Sequence, residues 1–478
     1  EPATPDSQPR LLVERRFLPF FMTQFLGAFN DNVFKNALII LIAFQGAEFS
    51  NTDTNILTNL SAGLFILPFF LLSATAGQLI DKTEKSLSMQ RIKLLEIFIM
   101  LCAAWAFSAG QLYLLISLLF LMGAQSTLFG PAKYSYIPQH LADNELIAGN
   151  ALVQMGTFVA ILIGTMTGGL LIAHEEGRTL VSLVLVAIAV VGYVSSRAIP
   201  RTPSPCPDLR INWNIFTETW RNIGFIRSNR TVFLSVLGIS WFWFLGATYL
   251  VQLPNYTKLT LGGNEQVVTL LLTLFTLGIG SGSLLCNWLS GQKVEIGLVP
   301  FGSIGLTLFG IDLYFARPLL EHTELMGLTA FLQMEGSIRI IADVMLIGLF
   351  GGFYIVPLFA LVQQRSDPEH LSRVIAGNNI LNALLMVLSA TMAIVLLGAG
   401  VTIAQLFLVV AVLNAAVAIY IYTLVPEFLM RFLVWILIHS IYHVRKKGLE
   451  NIPDDGPAVL VCNHVSYVDA MIIAGCIR

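Results

Sequence analysis

Asp31 and Lys35 are the residues whose types and spacing most clearly invite chemistry. They sit in the run Gln24-Phe25-Leu26-Gly27-Ala28-Phe29-Asn30-Asp31-Asn32, with Lys35-Asn36 following, inside an otherwise apolar stretch. On a helix, residues four apart share one face. One reading is a self-neutralising pair that helps an apolar helix enter a membrane. The other is a cavity site for a charged headgroup, because an ionisable residue in a membrane helix is costly and faces a cavity or a partner. Asn30, Asn32 and Asn36 favour the second, since a neutralised pair needs no amides beside it. A second candidate pair, His464 and Asp469, follows the apolar run Ala458-Val459-Leu460-Val461-Cys462, which reads as a buried strand.

What must position Asp31 and Lys35 is a membrane bundle. Hydrophobic residues make up 56% of the 478, charged residues 12%, and the mean hydropathy is +0.76. A soluble protein carries about 25% charged residues, so this composition excludes a soluble enzyme. The net charge of −2 includes no basic patch that would point to nucleic acid. The five cysteines (Cys102, Cys206, Cys286, Cys462 and Cys476) form no CxxC pair, so neither disulfides nor a metal site are expected, and no cofactor motif is present.

A membrane helix needs ~20 apolar residues. Charge-poor runs at 17–46, 54–80, 146–174, 179–196, 232–257, 266–292, 296–316 and 340–364 each predict one span. Runs at 97–132 and 374–426 are long enough for two each, with turns at Ser108-Ala109-Gly110 and Gly398-Ala399-Gly400. The total is twelve. With the N-terminus inside, inside segments hold 22 of the 27 lysines and arginines, which places both ends in the cytoplasm of a multi-pass inner-membrane protein. The expected organisation is a cytoplasmic N-terminus at 1–16 with no cleavable leader and a six-helix half at 17–198. A Pro-rich linker at 199–230 follows, whose stretch Trp213–Arg227 reads as an amphipathic surface helix, then a second six-helix half at 231–425. Residues 426–447 read as an in-plane interfacial helix ending in Arg445-Lys446-Lys447, and 448–478 as a different kind of domain.

The halves repeat. Pro131-Ala132-Lys133-Tyr134 precedes Ile147-Ala148-Gly149-Asn150, and Pro357-Leu358 precedes Ile375-Ala376-Gly377-Asn378, at offsets of 226 and 228. Repeated halves are a signature of secondary transporters. Lys133 and Tyr134 are further candidates at the inside end of span four, although Lys133 has the stem to snorkel to the interface. Gln125 and Gln154 read as interhelical glue, Trp241 and Trp243 as packing, and Asn378, Asn379 and Asn382 as a polar cluster. Glu96, Asp312 and the Arg339/Asp343 pair are expected near span ends, facing water.

Several segments resemble known families. Gly77-Gln78-Leu79-Ile80-Asp81-Lys82 resembles the loop motif between spans two and three of the major facilitator superfamily, with Glu84 and Lys85 where the trailing arginines would stand. Gly77 would let helices approach, and Asp81 would pair at the cytoplasmic face to lock the halves in one state. The Gln24–Asn32 run, Gly130-Pro131-Ala132-Lys133-Tyr134 and Gly351-Gly352-Phe353-Tyr354-Ile355-Val356-Pro357-Leu358 resemble the bacterial lysophospholipid transporters of that superfamily, over residues 17–425. Asn463-His464-Val465-Ser466-Tyr467-Val468-Asp469, with its lead-in Gly448-Leu449-Glu450-Asn451-Ile452-Pro453, resembles the glycerolipid acyltransferases. There the His is general base on a lipid hydroxyl and the Asp orients it.

The resemblance implies an all-α, twelve-helix major facilitator fold followed by the first strand of a truncated α/β acyltransferase domain. The implied job is flipping lysophosphatidylethanolamine-type lipids from the outer to the inner leaflet, for re-acylation by an attached acyltransferase. Asp31 would receive the ammonium, with Asn30 beside it, and Lys35, Lys133 or Asn379 would meet the phosphate. The sequence ends nine residues after Asp469, so acyltransferase activity is not expected of this chain by itself. Acyl carrier protein would be a partner only through further C-terminal domains. Span seven lacks the basic residue of such transporters, and Gln364 stands where they carry an acid, which leaves open which residue meets the phosphate. Two other readings stand beside this one: a drug or metabolite exporter of the same fold, and a membrane anchor for a lipid acyltransferase.

Overall fold

In a bilayer every backbone N–H and C=O must be satisfied within its own segment, so long apolar runs become helices. A computed structural model shows them as such; it describes residues 7–49, 54–290, 297–318 and 325–424, with isolated positions between 430 and 473. The first half comprises α1 (Ser7–Leu11), α2 (Leu18–Phe49), α3 (Thr54–Leu71), α4 (Ser73–Lys82), α5 (Lys85–Ser108), α6 (Leu112–His140), α7 (Leu146–Ile172) and α8 (Gly177–Arg197). The linker contributes α9 (Ile215–Ser228). The second half comprises α10 (Arg230–Leu259), α11 (Glu265–Leu289), α12 (Leu298–Phe315), α13 (Leu328–Gln333), α14 (Ser337–Arg365), α15 (Leu371–Gly398) and α16 (Ile403–Leu424). No strand occurs among the described residues. The interfacial helix expected at 426–447, the strand at Ala458–Cys462 and His464 lie outside the described residues, apart from isolated positions.

Ten helices among the described residues are long and apolar enough to cross a membrane, and α3 with α4 makes an eleventh span bent by 54°. The sequence reads 54–80 as one span. The bend lies at Leu72, four residues beyond Pro68, where α3 ends and the chain restarts as α4 at Ser73. α5, whose 24 residues are about 36 Å long, is not among these eleven and corresponds to the remaining span expected from 97. It begins twelve residues before the expected start at 97, because Lys93 and Glu96 lie within it rather than before it. Both turns read from the sequence are present, with Gly110 at φ 63° and Gly400 at φ 87°. Asparagine side chains begin three helices: Asn214, Asn229 and Asn264 each accept from two backbone N–H groups of the first turn.

Within the first half α2 packs on α7 and α8, α3 on α6, and α5 on α6 and α8; within the second, α14 packs on α11 and α12, and α10 on α15. The halves meet where α7 faces α11 and α14, and where α15 faces α3, α4 and α6. The tightest seam joins α11 to α14. A Cβ on Gly282 would lie 1.9 Å from the Leu349 carbonyl oxygen, and one on Gly278, Gly348 or Gly352 would also strike backbone. Two glycines spaced four apart on each helix let the backbones touch, the small-residue packing that holds membrane helices where lipid offers no hydrophobic drive. Gly282→Val is therefore expected to cost about 1–3 kcal/mol or more. The check is a lowered thermal unfolding midpoint in detergent, with Ser281→Val, beside it on α11, as the milder control.

Candidate functional site

α2, α3, α6 and α7 bring polar groups together inside the first half. Asp31 is half-buried and its Oδ2 accepts from Ser126 Oγ of α6 at 2.5 Å, while its buried Oδ1 has no protein partner. Lys35 does not form an ion pair with it among the described residues; its Nζ lies 5.5 Å from the centre of the Phe65 ring on α3. The two residues do share a helix face, but each finds a different neighbour: a hydroxyl on α6 for the acid, an aromatic face on α3 for the base. Lys133 does not snorkel outward. It points across to α7, with Nζ 3.5 Å from Thr157 Oγ1 and 4.7 Å from the centre of the Tyr134 ring. Thr157 donates to Gln24 Oε1 at 3.1 Å, and Gln24 Nε2 is a buried donor without an acceptor. Gln24 and Asp31 lie seven residues apart, two turns along one face of α2. An unpaired carboxylate oxygen, a loosely held ammonium and an unpaired amide thus line one region. Asp31 lies within electrostatic reach of both lysines.

Behind this face is a buried ion pair. Glu96 is fully buried and accepts from Lys93 Nζ at 2.6 Å, Asn30 Nδ2 at 2.9 Å and Gln125 Nε2 at 3.1 Å. The expectation that Glu96 faces water is wrong, because three residues, one each from α2, α5 and α6, satisfy it in the interior. Lys93 threads between helices where only glycine leaves room: Cβ atoms at Gly27 and Gly192 would lie 2.9 and 3.2 Å from its Nζ. Asn30 therefore serves Glu96 and leaves only its Oδ1 without a partner. The Arg339/Asp343 pair is corrected too: Arg339 grips Asp312 through two nitrogens, and Asp343 is 2% exposed.

A second cluster closes the end of the bundle that holds the linker. Gly77 of α4 lies against α15, where a Cβ would come within 2.8 Å of Ala376 Cβ and 3.0 Å of the Ser372 carbonyl oxygen. One turn on, Asp81 Oδ2 accepts from Arg373 Nε at 2.9 Å and Oδ1 from the Ser372 N–H at 3.2 Å, all fully buried or nearly so. Lys82 is half-buried and outside this contact. Tyr134 stacks on Phe359 of α14, centroids 4.2 Å apart and rings 5° from parallel. Its hydroxyl accepts from Gln154 and its carbonyl from Gln363, while Gln363 and Asn150 exchange hydrogen bonds. Asn379 lies against Gly130. Tyr134 and Asn379 therefore sit in the seam between the halves. Trp241 donates to Asn414, Trp243 stacks on Phe158, and Asn382 accepts from Ser240, all contacts between helices.

The sequence reading missed Arg373 and Ser126. For Arg373 a signal exists: the repeat offset of 228 carries it onto Glu145, and Glu145 is itself half of a pair, bonded to Arg16 at 2.6 and 2.8 Å. Glu145 holds the Arg16 guanidinium still higher than its usual range. Ser126 carries no such mark, since a lone serine in a membrane helix commonly bonds its own backbone.

Comparison with known proteins adds the following. The sequence profile of the Major Facilitator Superfamily matches residues 20–390, and that of the Acyltransferase family matches 443–478. The chain is 27% identical over 385 residues to the lysophospholipid transporter LplT of Serratia proteamaculans, covering 79% of this chain and 86% of that one. It is 28% identical over 373 residues to LplT of Escherichia fergusonii, covering 75% and 82%. Among solved structures it resembles the human organic anion transporter MFSD10 (TM-score 0.70, 11% identity, 85% of this chain and 99% of that one). It also resembles the transporter FucP in its outward conformation (TM-score 0.62, 15% identity, 86% and 99%).

Proposed function

Since this chain belongs to the Major Facilitator Superfamily, we propose that it carries lysophospholipids across the bacterial inner membrane, from the outer to the inner leaflet. The observation that carries the reading is the unpaired Asp31 Oδ1 with Lys133 and Gln24 in the same half. Two opposite charges that do not pair with each other suit a headgroup bearing both an ammonium and a phosphate. Asp31 takes the ammonium; Lys133 and the Gln24 amide take the phosphate. Lys35, held over Phe65, is a lesser contributor, and Asn30 acts behind Asp31 through Glu96. The single acyl tail remains in apolar surroundings between helices.

Support comes also from the relatives, which are named for lysophospholipid transport. The acyltransferase match at 443–478 supports a link to re-acylation, with His464 as general base and Asp469 as its orienting acid in a complete domain. Acyl carrier protein enters as a partner only there. The concentration of lysines and arginines in the segments on the linker side supports a cytoplasmic location for that end and for both termini. Gly77, Asp81 and the seam around them then form the cytoplasmic gate, with Lys82 at its rim, and transport is a rocking of the halves about the Asp31 layer.

The test is reconstitution in liposomes with fluorescent lysophosphatidylethanolamine. Protein-dependent movement between leaflets is the expected result. Its absence, together with movement of cationic drugs by the same preparation, assigns the chain to the exporters instead.

A further inference from the structure

The linker helix α9 is amphipathic the wrong way round for a helix that covers an aqueous face. Its inward positions Glu218, Asn222 and Ile226 are buried at a four-residue spacing, and Ile226 packs on Gly377 of α15. Among its exposed positions are two aromatics one turn apart, Phe216 at 87% and Trp220 at 72%, beside Thr217, Arg221, Gly224 and Arg227. A helix whose apolar stripe faces outward needs an apolar medium on that side. Beside it the α3–α4 break exposes Phe70 and Leu71. Between break and helix lies a groove of about 670 Å³, lined by Phe70, Leu71, Ile215, Phe216, Thr219 and Trp220. That volume is within the range of ligand sites, about 300–1,000 Å³.

The groove lining carries no charge, and the linker helix beside it names the occupant. Residues 198–230 carry five arginines against Asp208 and Glu218, and Glu218 is buried. Arg221 follows Trp220 in sequence with its side chain 54% exposed; its contact to Glu218 is loose at 3.9 Å and its guanidinium lies 5.6 Å from the centre of the Phe225 ring. Aromatic side chains with arginine at a membrane surface suit an anionic headgroup whose chains enter the bilayer. We infer that the α3–α4/α9 groove binds an anionic glycerophospholipid of the linker-side leaflet, one acyl chain lying along Trp220 and Leu71 and the phosphate on Arg221. The helix that holds this lipid also bridges the halves. Gln78 of α4 exchanges hydrogen bonds of 3.0 and 2.7 Å with the Asn212 backbone just before α9, while Ile226 rests on α15. The site is independent of which solute the bundle transports.

The test uses the full chain in vesicles of phosphatidylethanolamine containing either phosphatidylglycerol or further phosphatidylethanolamine with brominated acyl chains, read by tryptophan quenching. Brominated phosphatidylglycerol is expected to quench more than brominated phosphatidylethanolamine at equal content. That excess should vanish in Trp220→Phe, fall severalfold in Arg221→Gln and survive in Arg221→Lys. Equal quenching by the two headgroups, or an excess untouched by Arg221→Gln, overturns the proposal and leaves ordinary boundary lipid. Loss of the excess on adding lysophosphatidylethanolamine overturns it in favour of the transported lipid.

Discussion

Asp31→Asn is expected to abolish flipping of lysophosphatidylethanolamine while leaving the protein folded. The substitution keeps the shape of the side chain, and Ser126 Oγ can still donate to the remaining carbonyl oxygen. What changes is the unpaired oxygen, which becomes an amide donor when the NH₂ takes its place. A donor facing an ammonium repels it. Hydrogen bonds to charged groups contribute about 1.5–3 kcal/mol net, so headgroup affinity should fall about 10- to 100-fold. Lysophosphatidylglycerol, which has no ammonium, should be affected much less, so the variant loses discrimination between the two lipids as well as rate. The measurement is transport of both fluorescent lipids in proteoliposomes, with thermal unfolding alongside. Equal losses for both lipids, at an unchanged unfolding midpoint, would remove Asp31 from ammonium recognition.

Arg373→Gln is expected to open the linker end. Removing one partner of a buried pair costs about 3–5 kcal/mol, because the other charge stays buried without compensation. Here Asp81 and Arg373 belong to α4 and α15, helices of opposite halves that face each other at this closed end. The cost therefore falls on the closed state and shifts the equilibrium by about two to four orders of magnitude. Ser135, fully buried in the same seam and bonded to Ser372, is the reporter. A cysteine placed there should be shielded from a membrane-impermeant maleimide in the parent and become reactive with Arg373→Gln. The exchanged pair Asp81→Arg with Arg373→Asp should restore shielding in part. Shielding that persists in the single variant would mean that Tyr134, Phe359 and Gln363 close the seam unaided.

The span pattern was legible because charge-free length is nearly sufficient to define a membrane helix. Ser108-Ala109-Gly110 and Gly398-Ala399-Gly400 were legible as turns because a positive-φ glycine must sit where two helices reverse. The start of α5 was not. Counting charges treats Lys93 and Glu96 as interruptions, whereas three residues apart on one helix they neutralise each other. The polarity around Asp31 was visible in the sequence, yet its division was not. Periodicity places Asp31 and Lys35 on one face but cannot say that Ser126 answers one and Phe65 the other. Pairings between helices distant in sequence, such as Asp81 with Arg373, are set by how the halves dock.

The Lys93–Glu96 pair bears on how the chain is made. At a helix centre each ionised residue opposes insertion by about 2.5–3.5 kcal/mol, and the pairing of Lys93 with Glu96 within the helix offsets only part of it, so α5 emerging alone from the ribosome is a poor candidate for the bilayer. The groups that compensate it arrive on both sides in time: Asn30 on a helix synthesised earlier, Gln125 on the next one, and the space beside Gly192 later still. Biogenesis of this half is therefore a collective event, in which the insertion machinery must retain α5 until its neighbours are threaded, and a translational pause before α6 would leave that helix stranded on the ribosome's side.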